Sequence, residues 1–201
     1  KSIKIIDDGS GMSKEDALLC FSRHATSKIK NENDLYFINT LGFRGEALAA
    51  ISSVADVTLD TYDTKEATKV NISYGKLNEP QIGQMRKGTI IEVKNLFYNT
   101  PARMKFMKSD TVEGGKVSTA IQLQALAHPN VAFRFLRDGK EILSTPGTGD
   151  LEAAVYCVYG RDGGKMVKVE SRWDRYNLSG YVSKPTDSRP SRNLQTFFVN
   201  G

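Results

Sequence analysis

The chain has 201 residues, 39% hydrophobic and 25% charged, enough for one sizeable core or for one domain and part of a second. No apolar run reaches the ~20 residues that span a bilayer, so the sequence contains no transmembrane helix and no membrane partner is expected. A net charge of +5, from 28 Lys and Arg against 23 Asp and Glu, is mildly basic; it permits a polyanionic partner without requiring one.

The opening residues, Lys1 to Ile6, already alternate like a strand, and no signal-peptide succession stands before them. The N-terminus reads as cut, with an earlier element expected upstream. Cys20, between Leu19 and Phe21, and Cys157, within AAVYCVYG, lack metal-ligand spacing. Both are expected to be buried free thiols of a reducing, cytoplasmic setting.

A strand over SIKIIDD ends in an Asp-rich turn where Gly9 and Gly11 mark close backbone geometry. Ser13 with Asp16 forms a capping-box pattern ahead of KEDALLCFSRH, a helix whose inner face is Ala17, Leu18 and Phe21. Residues 25–39 are polar, with KIKNEND at their centre, and form a long loop of the kind that serves as a lid. A short helix is expected from 45 to about 54, with Ala47, Leu48, Ile51 and Val54 on one stripe.

VTLDTYD, KVNISYG and GTIIEVKNLF read as strands, the last two joined by a loop through Pro80 and Gly83. A helix over about 115–127 places Val117, Ile121 and Leu126 together and stops before Pro129. VAFRFL and EILST form a hairpin around Asp-Gly. STPGTGD is the linker pattern. Beyond it come a helix over LEAAVYCVYG, inner face Leu151, Ala154, Val155 and Val158, and strands over KMVKVE, YNLSGYVS and LQTFFVN. The result is an α+β fold: one domain over 1–147, then the start of a second over 148–201.

Four motifs could hold a ligand. DDGSGM, residues 7–12, places a carboxylate at a strand tip beside two positions where backbone can touch a flat ligand. Such a carboxylate accepts from an exocyclic amine such as that of adenine, although Asp and Gly are also ordinary turn residues. A calcium loop begun at Asp7 fails, because its twelfth position is Leu18. In RHATSKI, Thr26, Ser27 and Lys28 suit phosphate oxygens, whereas His24 has no nucleophile to serve. In LGFRGEAL, Gly42 and Gly45 let backbone amides approach an anion where a helix begins. Read alone, that loop fits an anion site and a capped turn equally. The fourth, KGTIIEV, sends the Thr89 hydroxyl into a strand that could border a pocket.

Taken together and in order, DDGSGM, RHATSKI, LGFRGEAL and GTIIEVKNLFYNTPAR resemble the N-terminal ATPase region of the MutL family of DNA mismatch-repair proteins, within the GHKL group that includes gyrase B, heat-shock chaperones and histidine kinases. The resemblance runs from Ile5 to the closing VNG. It implies a Bergerat-type α/β sandwich lacking its N-terminal helix, then an incomplete transducer-like second domain of ribosomal-protein-like fold.

It also implies an adenine-nucleotide site. Asp7 would bind the adenine amine, Gly9 and Gly11 would line the base, and Thr89 would support it. Thr26, Ser27 and Lys28, with Gly42, Phe43, Arg44, Gly45 and Glu46, would hold the phosphates. Asp8 stands where many relatives carry Asn. The family's catalytic Glu and its Mg²⁺-binding Asn precede the first strand, and its phosphate-sensing Lys lies beyond residue 201. The expectation is therefore a MutL-type ATPase when intact, with ATP and Mg²⁺ as cofactors, but a hydrolytically incompetent fragment here. The implied partners are mismatched or single-stranded DNA, a MutS-type recognition protein and a second copy through the N-terminal region. Arg189 and Arg192 are candidate DNA-phosphate contacts. A gyrase-like or chaperone-like member of the same group, and a non-enzymatic DNA-binding or dimerisation module, are the rival readings.

Overall fold

A computed structural model describes residues 1–23, 45–187 and 194–199. The expected loop over 25–39, Arg189 and Arg192 lie outside them. The chain forms two units, Lys1–Met107 and Lys108–Gly201.

The first unit is built on an antiparallel sheet. Its strands are β1 (Ser2–Ile6), β2 (Asp56–Tyr62), β3 (Ala67–Ser73), β4 (Lys76–Leu77), β5 (Gln81–Ile82) and β6 (Gly88–Lys94). The order is β1-β6-β2-β3-β4, with β5 also paired to β3. The two-residue strands β4 and β5 occupy the stretch expected as a plain loop through Pro80 and Gly83. They are too short to show any periodicity in sequence.

Alternation within each strand decides the buried face. Leu59 on β2 pairs with Val70 on β3 and Ile91 on β6, and Ile91 pairs with Ile5 on β1. Helix α1 (Lys14–Leu19) covers this face, so Ala17, Leu59, Val70 and Ile72 form the core with Met12, Leu18, Cys20 and Phe21 against it. Fully burying a side chain such as Leu59 contributes roughly 1.5–3 kcal/mol. The Ser13 half of the capping-box pattern forms: Ser13 Oγ accepts from the Asp16 N–H at 3.1 Å. On the edge strand, Ile3, Ile5 and Ile6 remain about half exposed.

Helix α2 (Ala47–Ser52) is shorter than expected. Val54 is buried and Leu48 and Ile51 are half-buried, but Ala47 faces solvent, so the stripe is narrower than the spacing suggested. The NLFYN stretch docks this region. Phe97 N–H donates to Val54 O at 2.7 Å, Asn99 Nδ2 to Ser53 O at 3.0 Å and Asn95 Nδ2 to Asp56 Oδ2 at 2.9 Å. Asn95 thus ties the exit of β6 to the start of β2, and Asn99 ties it to the end of α2. A five-residue helix that sequence reading missed, α3 (Pro101–Lys105), follows with Pro101 in its first turn, where a missing N–H costs nothing.

In the second unit, α4 (Asp110–Ala127) begins five residues before its expected start, running through Gly114 and Gly115. Its N-terminus is fixed by Glu113, whose Oε1 accepts the Lys108 N–H at 3.1 Å. That carboxylate offsets the poor helix propensity of the glycines. Strands β7 (Arg134–Arg137) and β8 (Lys140–Ser144) turn through Asp138 and Gly139, both at positive φ, as the Asp-Gly pair requires. Helix α5 (Leu151–Tyr159) starts at Asp150, whose carboxylate accepts the Glu152 N–H at 2.9 Å, and buries Ala154 and Val155. It packs on α4 and β8, which is why the unit opens at Lys108, ahead of the STPGTGD segment. Strands β9 (Val167–Trp173) and β10 (Tyr176–Val182) pair as a separate hairpin.

Two expectations are corrected. Residues 194–199 form no strand; they pair with no described strand, and Phe197 and Val199 are exposed. Cys20, at the C-terminal cap of α1, and Cys157, within α5, are free but only half-buried. Burial still pushes the Cys20 thiol up to about 11.

Candidate functional site

The chain leaves β1 directly into Asp7, and the end of that strand is clamped from several sides. Asp7 N–H donates to Thr89 O at 2.9 Å, extending the β1–β6 ladder by one residue. Arg86 Nη1 donates to Asp7 O at 2.9 Å. Gly88 has φ +101°, and a Cβ there would lie 2.2 Å from Asp7 O. Only glycine lets the two strands approach so closely at this point.

The Asp7 side chain is oriented by two backbone donors. Its Oδ1 accepts from Gly9 N at 2.9 Å and from Thr89 N at 3.2 Å. Asp7 is exposed, while Thr89 beneath it is buried. With Oδ1 occupied, the carboxylate has its other oxygen to offer as an acceptor. Gly9 is packed against the same carboxylate, and an added Cβ would sit 2.9 Å from Oδ1. Gly11, at φ +72°, passes so close to β2 that a Cβ would be 2.2 Å from Tyr62 O.

Below this loop runs a row of hydroxyls set by strand register. Thr61 on β2 pairs with Thr68 on β3 and with Thr89 on β6, and Asp7 continues the row beside Thr89. Thr61 and Thr89 bond to each other at 3.1 Å. Thr61 Oγ1 also accepts the Met12 N–H at 2.9 Å and lies 3.3 Å from Gly88 O. Thr61 and Thr89 are 1% and 7% exposed, so these bonds face little competition from water, whereas the buried Thr68 hydroxyl makes no side-chain hydrogen bond.

Of the residues read from sequence, Asp7, Gly9, Gly11 and Thr89 are therefore brought together. Gly45, at φ +64°, and Glu46 stand at the entrance of α2 in the same unit. Thr26, Ser27, Lys28, Gly42, Phe43 and Arg44 lie outside the described residues. Sequence reading missed Thr61, Arg86 and the structural need for Gly88. Thr61 had a signal, since period two places it on the same face as Leu59; Arg86, in an irregular stretch, had none. Among the described residues no group of three His, Cys, Asp or Glu could hold a metal.

An antiparallel α+β unit whose first strand ends in Asp-x-Gly-x-Gly over a buried threonine is the build of a GHKL-type ATPase domain. The comparison with solved structures agrees: the chain matches the Aquifex aeolicus MutL ATPase domain complexed with ADP, with TM-score 0.65 and 27% identity over 85% of this chain and 60% of that one. No protein-family model matches it. Among curated proteins it is 45% identical over its whole length to the DNA mismatch repair protein MutL of Shouchella clausii, covering 31% of that protein. It is 46% identical over 99% of its length to MutL of Listeria innocua, covering 33%. The chain belongs to the MutL family of DNA mismatch-repair proteins. It spans about a third of the length of these curated relatives.

Proposed function

We propose that this chain carries the adenine cradle of an ATP-driven switch in DNA mismatch repair. The observation that supports this reading most directly is the Asp7 carboxylate, fixed by the Gly9 and Thr89 N–H groups beside a buried hydroxyl pair. An adenine edge presents an amine donor next to a ring-nitrogen acceptor. The free Asp7 oxygen takes the amine, and the Thr89 hydroxyl serves the ring nitrogen, directly or through water. Guanine would set a carbonyl oxygen against the carboxylate, so the same geometry selects against GTP.

In this reading the nucleotide-binding domain runs through 147 and the second domain opens at 148. Thr26, Ser27 and Lys28, with Gly42, Phe43, Arg44, Gly45 and Glu46, serve the phosphates. The α2 entrance supports that role through the positive φ of Gly45, which lets backbone amides turn toward an anion. Phosphate contacts order the loops around these motifs, a switching mode that couples nucleotide to dimerisation with a second copy and to DNA and a MutS-type partner. The ADP complex of the Aquifex relative supports the nucleotide class, and the cytoplasm is the compartment such a role requires.

Hydrolysis makes further demands. By the family resemblance, the general base and the Mg²⁺ ligand both lie outside these 201 residues. Turnover requires both of these in addition to the cradle.

Equilibrium binding of a non-hydrolysable ATP analogue tests the cradle. Asp7→Ala removes a charge-assisted acceptor worth roughly 1.5–3 kcal/mol, or about 10–100-fold in affinity. Unchanged affinity in Asp7→Ala refutes the assignment.

A further inference from the structure

We propose that Thr61, a residue of β2 assigned no role by the family motifs, is a positioning residue for the adenine end of the site. The inference rests on the adenine-cradle reading and deepens it. Three pieces of chain must keep one geometry for that cradle to work: the loop carrying Asp7, Gly9 and Gly11, the turn at Gly88, and the Thr89 side chain. A single buried oxygen touches all three. Thr61 Oγ1 lies 2.9 Å from Met12 N, immediately after Gly11, 3.3 Å from Gly88 O and 3.1 Å from Thr89 Oγ1.

The hydrogen count makes the link directional. Thr61 accepts the Met12 N–H and has one proton to give. If that proton goes to Gly88 O, Thr89 donates back to Thr61 and turns its lone pairs toward a ligand. If it goes to Thr89 Oγ1, the Thr89 proton is released for a ligand acceptor. Adenine, with its amine held by Asp7, presents an acceptor at the neighbouring ring nitrogen, so it selects the second arrangement. Thr61 thereby sets whether Thr89 donates or accepts, without reaching the base itself. At 1% exposure, no solvent molecule substitutes for it in this task.

The geometry on the other side of Thr61 strengthens the assignment. Gly11 passes so close to Tyr62 O that this loop cannot sit lower on the sheet. The Met12 N–H therefore meets the Thr61 oxygen at a fixed height, and a residue without a hydroxyl leaves that donor unpaired rather than letting the loop settle.

The experiment uses Thr61→Val, nearly isosteric and lacking the hydroxyl, and Thr61→Ser, which keeps it, in the intact protein. Asp7→Ala serves as the reference for the cradle. Binding of a non-hydrolysable ATP analogue is measured by calorimetry at a temperature where circular dichroism shows every variant fully folded. Thr61→Val is expected to weaken binding about tenfold, the scale of one hydrogen bond to the ligand lost when Thr89 is no longer aligned, and Thr61→Ser to stay within about twofold of the parent. A merely structural role predicts a lowered Tm with unchanged affinity in the folded protein, and that result overturns the proposal. So does equal weakening in Thr61→Val and Thr61→Ser. Should the parent and Asp7→Ala bind equally, the cradle reading itself is refuted. A 1-deazaadenine analogue gives a second readout, because it lacks the ring acceptor: the Thr61→Val effect is expected to shrink with it, and an undiminished effect counts against the proton-setting role.

Discussion

Replacing Gly88 by alanine tests whether the approach of β6 to Asp7 is what holds the strand tip in place. Two costs add at this position. A side chain at φ +101° is strained, at roughly 1–3 kcal/mol. The new Cβ would also lie 2.2 Å from Asp7 O and 2.8 Å from Asp8 Cα. Both are backbone atoms and cannot rotate away, so a further ~1–3 kcal/mol of overpacking is expected. Gly75 is the internal control. It has φ +84° in the turn between β3 and β4, and its nearest neighbour to an added Cβ is Ser53 Cα at 3.9 Å, an ordinary contact. Gly75→Ala therefore carries the backbone cost alone. Urea unfolding followed by circular dichroism gives both values from the shift in midpoint at constant slope. Gly88→Ala is expected to exceed Gly75→Ala by ~1–3 kcal/mol and to weaken nucleotide binding, because Asp7 must move. Equal destabilisation of the two variants would mean that the strands yield easily there, and the clamp would then be no constraint on the site.

Asp56 and Cys20 yield two further tests. Hydrogen bonds from Ser73 and then Asn95 hold the Asp56 carboxyl below its ordinary value of 3.8, against a smaller opposing effect of desolvation. A depressed carboxyl stabilises the fold above its unfolded-state value and loses that contribution as pH falls through the folded one. The difference in urea midpoint between the parent and Asp56→Asn should therefore shrink as pH drops below about 3.8; a constant difference across that range would refute it. Burial raises the Cys20 thiol to about 11, and its Sγ donates to Ala17 O at 3.2 Å. Since the thiolate is the reactive form, Cys20 should resist alkylation at pH 8 until denaturant is added. Rapid labelling of the folded protein, located by peptide mapping, would count against its burial at the C-terminal end of α1.

Sequence made the sheet's main strands legible because they combine β-branched residues with period two, as in VTLDTYD and KVNISYG. It also located the Ser13 cap and the Asp138–Gly139 turn, where one residue type has one geometric use. The early start of α4 was hidden because Gly114 and Gly115 look like a breaker. What carries the helix through them is Glu113 bonding back to Lys108. LQTFFVN shows the opposite failure: its composition favours a strand, but a strand needs a partner and residues 194–199 have none among the described residues. Propensity proposes such an element and pairing decides it.

The site divides along the same line. Asp7, Gly9 and Gly11 are ordinary turn residues by themselves, and they stand out only through the ordered set of four motifs to which they belong. Thr61 is less conspicuous: period two separates its face from that of Thr58 three residues earlier, but a threonine in a strand is ordinary and alternation does not show what it meets. Thr58 instead meets Asn71 on the opposite face, at 3.0 Å between side chains. The difference between them comes from register: pairing Thr61 with Thr89 across β2 and β6 sets two hydroxyls side by side, and the extension of β1 by one bond brings Asp7 next to them. Slipping β2 against β6 by one residue would turn Thr61 to the other face and break the hydroxyl pair beside the carboxylate. The motif therefore supplies the acceptor, but the sheet supplies its setting, and substitutions that disturb register at Tyr62, Gly88 or Thr89 should reach the nucleotide as surely as substitutions at Asp7.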